Sequence, residues 1–391
     1  METIYLDNNA TTRVDPRVFE VMKPYFCDLY GNPSSMHNFG GQVARSVTRA
    51  REEVAAILGA DPSEIIFTSC GTESDNTAIR SALEAQPEKR HFITTKVEHP
   101  AVLNLAKHLV KKGYHLTLVG VDGQGMIDTN ELKEAIREDT ALVSMMWANN
   151  ETGTIFPVGE VAEICRSRGV LFHTDAVQAV GKIPMNLAAS NIDFLALSGH
   201  KLHAPKGIGA LYVKKGIPFR PFMIGGHQER GRRAGTEAVP SIVALGEACR
   251  IARENIDKEL IQVRLLRDRI EKGLLHSIPE SRLNGHPTER LPNTVNISFK
   301  FVEGEAILLL MNEHGICASS GSACTSGSLE PSHVLRAMGI PFTFAHGSVR
   351  FSFCRFNTDH DVDVVLKELP PIIDRLRTLS PYKGEEISCT I

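Results

Sequence analysis

The stretch Val170-Leu171-Phe172-His173-Thr174-Asp175-Ala176-Val177-Gln178, followed by Asp193-Phe194-Leu195-Ala196-Leu197-Ser198-Gly199-His200-Lys201, decides the fold. Each half is a short apolar run that gives way at once to polar residues. Runs of this length bounded by turn residues read as buried strands. Working outward, the same pattern recurs at Glu64–Thr68, His91–Thr95, His115–Val121 and Ala141–Trp147, with longer helical patterns between. Strands alternating with helices predict an α/β fold, a largely parallel sheet with helices on both faces. Near Ile256 the pattern changes to an amphipathic helix with Ile256, Leu260, Val263, Leu266, Ile270 and Leu274 at intervals of three and four. Beyond it come strands (Thr294–Phe299, Ser348–Phe353) and helices (Glu303–Met311, Asp361–Leu379), which predict a second, smaller α+β domain.

Length and composition narrow the function. A chain of 391 residues with 42% hydrophobic and 23% charged residues is an ordinary folded protein with room for more than one domain. Its net charge of -3 lacks the basic excess of a dedicated nucleic-acid binder, and the cluster Arg230, Arg232, Arg233 is too short to reverse that. No run approaches the roughly 18 apolar residues of a membrane span, the densest being Ala306–Met311. The amino end carries Glu2 and Asp7 without a basic segment leading into an apolar one, so a cytoplasmic location is expected. The eight cysteines contain no C-x-x-C pair, and reduced thiols are expected rather than disulfides or a resident metal site. Small-molecule chemistry is the class that remains.

In open parallel sheets, ligands sit beyond the carboxyl ends of the strands. After residues 64–68 comes Thr68-Ser69-Cys70-Gly71-Thr72-Glu73-Ser74, leading into a helical stretch. A glycine and hydroxyls at a helix amino end suit a phosphate, although ordinary helix capping gives the same pattern. Asp175 and Lys201 follow successive strands, and strands about 4.8 Å apart can bring such residues onto one small ring. Together they suit pyridoxal phosphate: the amine for a Schiff base, the carboxylate for the pyridinium nitrogen. Either one alone reads as a solvated lysine or a capping aspartate.

These residues resemble the cysteine desulfurases of the fold-type I pyridoxal phosphate enzymes, within the class-V aminotransferase superfamily, particularly the nitrogen-fixation NifS type. The resemblance runs along the whole chain. It is carried by Tyr5-Leu6-Asp7-Asn8-Asn9-Ala10-Thr11-Thr12, Gly31-Asn32-Pro33-Ser34-Ser35, His173-Thr174-Asp175-Ala176-Val177-Gln178, Gly199-His200-Lys201-Leu202-His203-Ala204-Pro205-Lys206-Gly207, Ser320-Gly321-Ser322-Ala323-Cys324-Thr325-Ser326 and Arg350-Phe351-Ser352. It implies a large cofactor domain at 16–255 and a small domain built from 1–15 and 256–391, carrying the Cys324 loop. By the same resemblance, Lys201 is the Schiff-base lysine, Asp175 the partner of the pyridine nitrogen and Gln178 the donor to the ring hydroxyl. His99 stacks on the ring and takes part in proton transfer. Gly71, Thr72, Ser198 and His200 hold the phosphate, and Thr236 reaches it from the other subunit of a homodimer. Asn150 contacts both cofactor and substrate.

A substrate carboxylate calls for a planar guanidinium, and Arg350 is the candidate. Its place in Val349-Arg350-Phe351-Ser352-Phe353 equally suits a solvated strand arginine. Cys324 decides the reaction type. Residues 319–328 hold Ser, Gly, Ala, Thr and this one Cys, with no large apolar partner, a setting for a reactive thiol more than for a core one. Cys317 and Cys354 read as core residues. The resemblance implies sulfur removal from L-cysteine to give L-alanine and a persulfide on Cys324, passed to an iron–sulfur scaffold or other acceptor, in a nitrogenase-related role. It implies no intrinsic metal, with Cys324 as the residue that could meet a cluster in transit. A selenocysteine lyase, an aminotransferase, and an idle scaffold that keeps the fold are the other readings.

Overall fold

A computed structural model describes residues 3–320 and 331–380 of the chain. Its centre is a seven-stranded sheet of β2 (Ile65–Thr68), β3 (His91–Thr95), β4 (His115–Val119), β5 (Thr140–Ser144), β6 (Leu171–Asp175), β7 (Phe194–Ser198) and β8 (Gly209–Val213), in the order β2-β8-β7-β6-β5-β3-β4. The run β4-β3-β5-β6-β7 is parallel throughout. Strands β2, β3, β5, β7 and β8 are buried at every residue, as a sheet covered by helices on both faces requires, while the edge strand β4 exposes His115.

Two details depart from the sequence reading. Gly209–Val213 had not been foreseen as a strand, yet it lies between β7 and β2 and runs antiparallel to both. The sheet is therefore largely, not wholly, parallel. Asp175 is also the last residue of β6 itself rather than the loop after it.

The helix expected from 256 begins at Val239 and runs without a break to Ser277. Its first half, including Ile242, Leu245, Ala248 and Ile251, packs into the large cluster around the central sheet. Its second half, through Val263, Leu266, Ile270 and Leu274, packs into a smaller cluster with Ile4, Leu6, Val295, Phe351 and Leu369. Along the helix the first cluster ends at Ala252 and the second begins at Val263. That smaller cluster covers β9 (Ser281–Asn284), β10 (Thr294–Phe299) and β12 (Ser348–Ser352), an antiparallel sheet with β10 in the middle. Beside it, β1 (Ile4–Tyr5) pairs in parallel with β11 (Ile316–Cys317). Val334, Leu335 and Met338 return to the large cluster, although they belong to the 256–391 stretch.

The long helix meets the helix Asn38–Leu58 where Gly246 faces Ala50. A Cβ on Gly246 would stand 2.5 Å from the Ala50 Cα and 2.7 Å from its Cβ. Backbone cannot yield as a flexible side chain does, so Gly246→Ala should destabilise the protein by about 1–3 kcal/mol, read as a lower midpoint in denaturant unfolding. No helix among the described residues is long and apolar enough to cross a membrane.

Candidate active site

The polar residues beyond β6 and β7 meet the amino-terminal segment Asp7–Thr12, which threads between them. Asp175 and Ala196 are paired in the β6–β7 ladder, so Asp175 and the turn Gly199–Lys201 stand side by side. The Lys201 amine donates to the carbonyls of Asn9 (2.6 Å) and Ala10 (2.5 Å). Gln178 Nε2 donates to the same Asn9 carbonyl at 2.9 Å, and Asn9 Nδ2 donates to the Asn150 carbonyl at 3.2 Å. Lys201, Gln178 and Asn150 are thus tied together through one residue.

Asp175 is only 6% exposed, and its Oδ1 accepts the Val177 amide at 2.9 Å. Burial raises its pKa, while His99 and Lys201 act in the opposite sense and favour the carboxylate. His99 caps the helix Pro100–Val110, with proline at the first helical position where a missing N–H costs nothing. Its Nδ1 accepts the Ala101 amide at 3.1 Å, which leaves the proton of the neutral ring on Nε2. Burial lowers its pKa against the pull of Asp175.

Gly71 and Thr72 open the helix Gly71–Glu84, whose N-cap, Cys70, makes no side-chain cap. The first amides of that helix therefore point outward for an anion. A Cβ on Gly71 would lie 2.7 Å from Val177 Cγ2 and 3.5 Å from the Ser198 Cβ, so Gly71, Ser198 and the Asp175–Gln178 turn share one cradle. His200 Nδ1 lies 3.1 Å from Thr11 Oγ1, and burial, with the charge of Lys201, lowers its pKa to about 4. Thr236 stands exposed, and no hydrogen bond among the described residues joins it to the others. Cys324 lies outside the described residues. The chain reaches that stretch from Ser319, whose backbone pairs with Arg350 (2.6 and 3.2 Å), and returns at Ser332 and His333, which contact Glu151 and the Glu98 carbonyl.

Arg350 is 3% exposed, which excludes the solvated-strand reading. Its Nη2 donates to Asp7 Oδ1 at 2.7 Å and its Nη1 to the Asn150 carbonyl at 3.0 Å. Cys354, expected in the core, is half-buried, and burial pushes its thiol up to about 11. Cys317 is half-buried too.

Several residues of the site had no role in the sequence reading. Lys182 donates to Gln178 Oε1 (2.8 Å) and Asn9 Oδ1 (3.3 Å), and so turns the Gln178 amide with its NH₂ toward Asn9. The i, i+4 spacing from Gln178 was the signal available for it. Behind Asp175, His173 Nδ1 lies 2.8 Å from Ser144 Oγ, and its Nε2 is 3.4 Å from Asp75 Oδ1, all three side chains being buried. Burial raises the Asp75 carboxyl well above the usual range, with Asp175 and Glu98 adding like charge. It likewise pushes Glu98 up to about 8 and His173 down to about 3. Like charges in one buried site do not all ionise. Burial and like charge favour the neutral form of Asp75, while Lys201 and His99 favour charge on Asp175.

A helix N-terminus with uncapped amides, a buried carboxylate and a lysine amine converge here, a donor set that fits a phosphate-bearing pyridine aldehyde. The Aminotransferase class-V family profile matches residues 4–365. Cysteine desulfurases are similar at high identity: that of Trichormus azollae is 62% identical over 386 residues (99% of this chain, 96% of that protein), and Cysteine desulfurase NifS of Azotobacter vinelandii is 56% identical over 383 (98% and 95%). The chain belongs to the class-V aminotransferase family, in its cysteine desulfurase branch. Solved structures of the family superpose along most of the length. A NifS-like protein aligns with a TM-score of 0.90 at 41% identity, covering 96% of this chain and 100% of that one. SspA, solved in complex with cysteine, aligns with a TM-score of 0.80 at 34% identity, covering 90% and 99%. The family's enzymes have the fold-type I architecture described above.

Proposed function

We propose that this desulfurase binds pyridoxal phosphate at Lys201 and removes the sulfur of L-cysteine, giving L-alanine and a persulfide on Cys324. The observation that carries the reading is the convergence of Asp175 at the end of β6, Lys201 beyond the neighbouring β7 and His99 beyond β3, within one another's electrostatic field. The names of the relatives, and the neighbour solved with cysteine, support the same substrate. When bound, the cofactor supplies an electron sink for the pair released at the substrate Cα.

The chain's own residues do the rest. Gly71, Thr72, Ser198 and His200 hold the phosphate, joined by Thr236 from a second copy in a homodimer. Asp175, whose charge Lys201 favours, would hold a proton on the ring nitrogen. Gln178, turned by Lys182, would offer its NH₂ to the ring hydroxyl, and His99 would contact the ring. Lys201, once free, takes the proton from the substrate Cα. Asn150 and Arg350 fix the substrate carboxylate. The Cys324 thiolate attacks the substrate sulfur: the new S–S bond forms as the Cβ–S bond breaks, and the released pair stays with the carbon part that becomes alanine. The sulfane sulfur then leaves for an acceptor thiol or an iron–sulfur scaffold, in the cytoplasm and in a nitrogenase-related role.

Arg350→Ala tests the substrate side. A charge-assisted hydrogen bond to a carboxylate contributes roughly 1.5 to 3 kcal/mol, so the KM for L-cysteine should rise about 10- to 150-fold while the resting cofactor spectrum is kept. Arg350→Lys should recover only part of the loss, because a point charge lacks the fork. An unchanged KM would remove Arg350 from the substrate site.

A further inference from the structure

We infer that Asp7 is a built-in competitor for the substrate's α-carboxylate: it occupies the edge of Arg350 that the substrate needs, and so sets how tightly an amino acid is held. This rests on the reading of Arg350 as the carboxylate-binding residue. The geometry is specific. Elsewhere in this chain, Arg17 grips Asp15 in a fork through Nε (3.0 Å) and Nη2 (2.8 Å). On Arg350 the same edge is half used: Nη2 donates to Asp7 Oδ1 at 2.7 Å, while Nε is buried with no hydrogen-bond partner among the described residues. The other terminal nitrogen, Nη1, is engaged by the Asn150 carbonyl. An incoming carboxylate that forms the two-point contact must therefore displace Asp7 from Nη2 or share that nitrogen with it.

Asp7 does not stand there by chance. Its backbone is bridged to Ser352, two residues from Arg350, with Ser352 N–H donating to the Leu6 carbonyl at 2.7 Å and Asn8 N–H to the Ser352 carbonyl at 3.3 Å. A guanidinium 3% exposed requires a countercharge when no substrate is bound. Glu151 also lies within the field of Arg350, but its carboxyl accepts from the Ser332 hydroxyl and burial raises its pKa. Asp7 is the carboxylate that pairs. Because L-alanine carries the same carboxylate as L-cysteine, a competitor at Arg350 weakens substrate and product together and favours product release.

The test is the affinity of the cofactor-loaded enzyme for L-alanine and for ethylamine, its analogue without the carboxylate, each read from the absorbance of the bound cofactor. Asp7→Asn keeps the shape and removes the charge. It should tighten L-alanine binding at least about fivefold and leave ethylamine unchanged. Asp7→Glu should stay within about twofold of the wild type. Weaker L-alanine binding in Asp7→Asn would mean that Asp7 only props Arg350 in place, and equal binding would mean no competition; either overturns the inference. If Arg350→Ala leaves L-alanine binding unchanged, the underlying reading of Arg350 fails instead.

Discussion

Lys201→Ala should reduce alanine production from L-cysteine by at least about a thousandfold. Two functions are lost at once: the covalent hold on the cofactor, and the base at the substrate Cα, which alone contributes some 10²- to 10⁴-fold. The amine is already presented for both, held at 2.6 and 2.5 Å by the Asn9 and Ala10 carbonyls beside Asp175. The cradle at Gly71 and the carboxylate of Asp175 remain in the variant, so it should still retain pyridoxal phosphate without covalent attachment. Cofactor content after gel filtration, measured with turnover, separates the two functions. Wild-type turnover in Lys201→Ala would sink the lysine assignment.

Cys324→Ala should lower sulfide release by at least about a hundredfold while the loaded protein still changes its absorbance on adding L-cysteine. The thiolate is the nucleophile, and the other cysteines with shifted acidity are poor stand-ins. Burial pushes the thiols of Cys165 and Cys249 up to about 12 and that of Cys354 up to about 11. Undiminished sulfide release from Cys324→Ala would transfer the role to another thiol or remove it altogether.

The sequence was most informative where local pattern coincides with tertiary role. Apolar runs ending in Asp175 and before Lys201 placed both residues, because strand ends of a parallel sheet are where ligands bind. It was silent on β8, whose Gly209-Ala210-Leu211-Tyr212-Val213 follows so closely on the Lys201 turn that no helical spacer announced a new strand. Arg350 looked equally like a surface residue until β12 proved buried at all its positions, since alternation cannot say whether both faces of a strand are covered. Asp7 was missed for a different reason. Its partner, Arg350, is 343 residues away, and no local period encodes such a contact. The Asp75–His173–Ser144 chain behind Asp175 likewise joins three separate elements.

The most direct measurement of the central claim is a single turnover. The cofactor-loaded protein is mixed with one equivalent of L-cysteine and no acceptor thiol, then quenched, analysed for alanine and digested for mass spectrometry. The account predicts alanine in equal amount to protein-bound sulfur, with one added sulfur atom on the peptide that contains Cys324. Alanine formed with the added sulfur on Cys317 or Cys354, or no alanine at all, would contradict it.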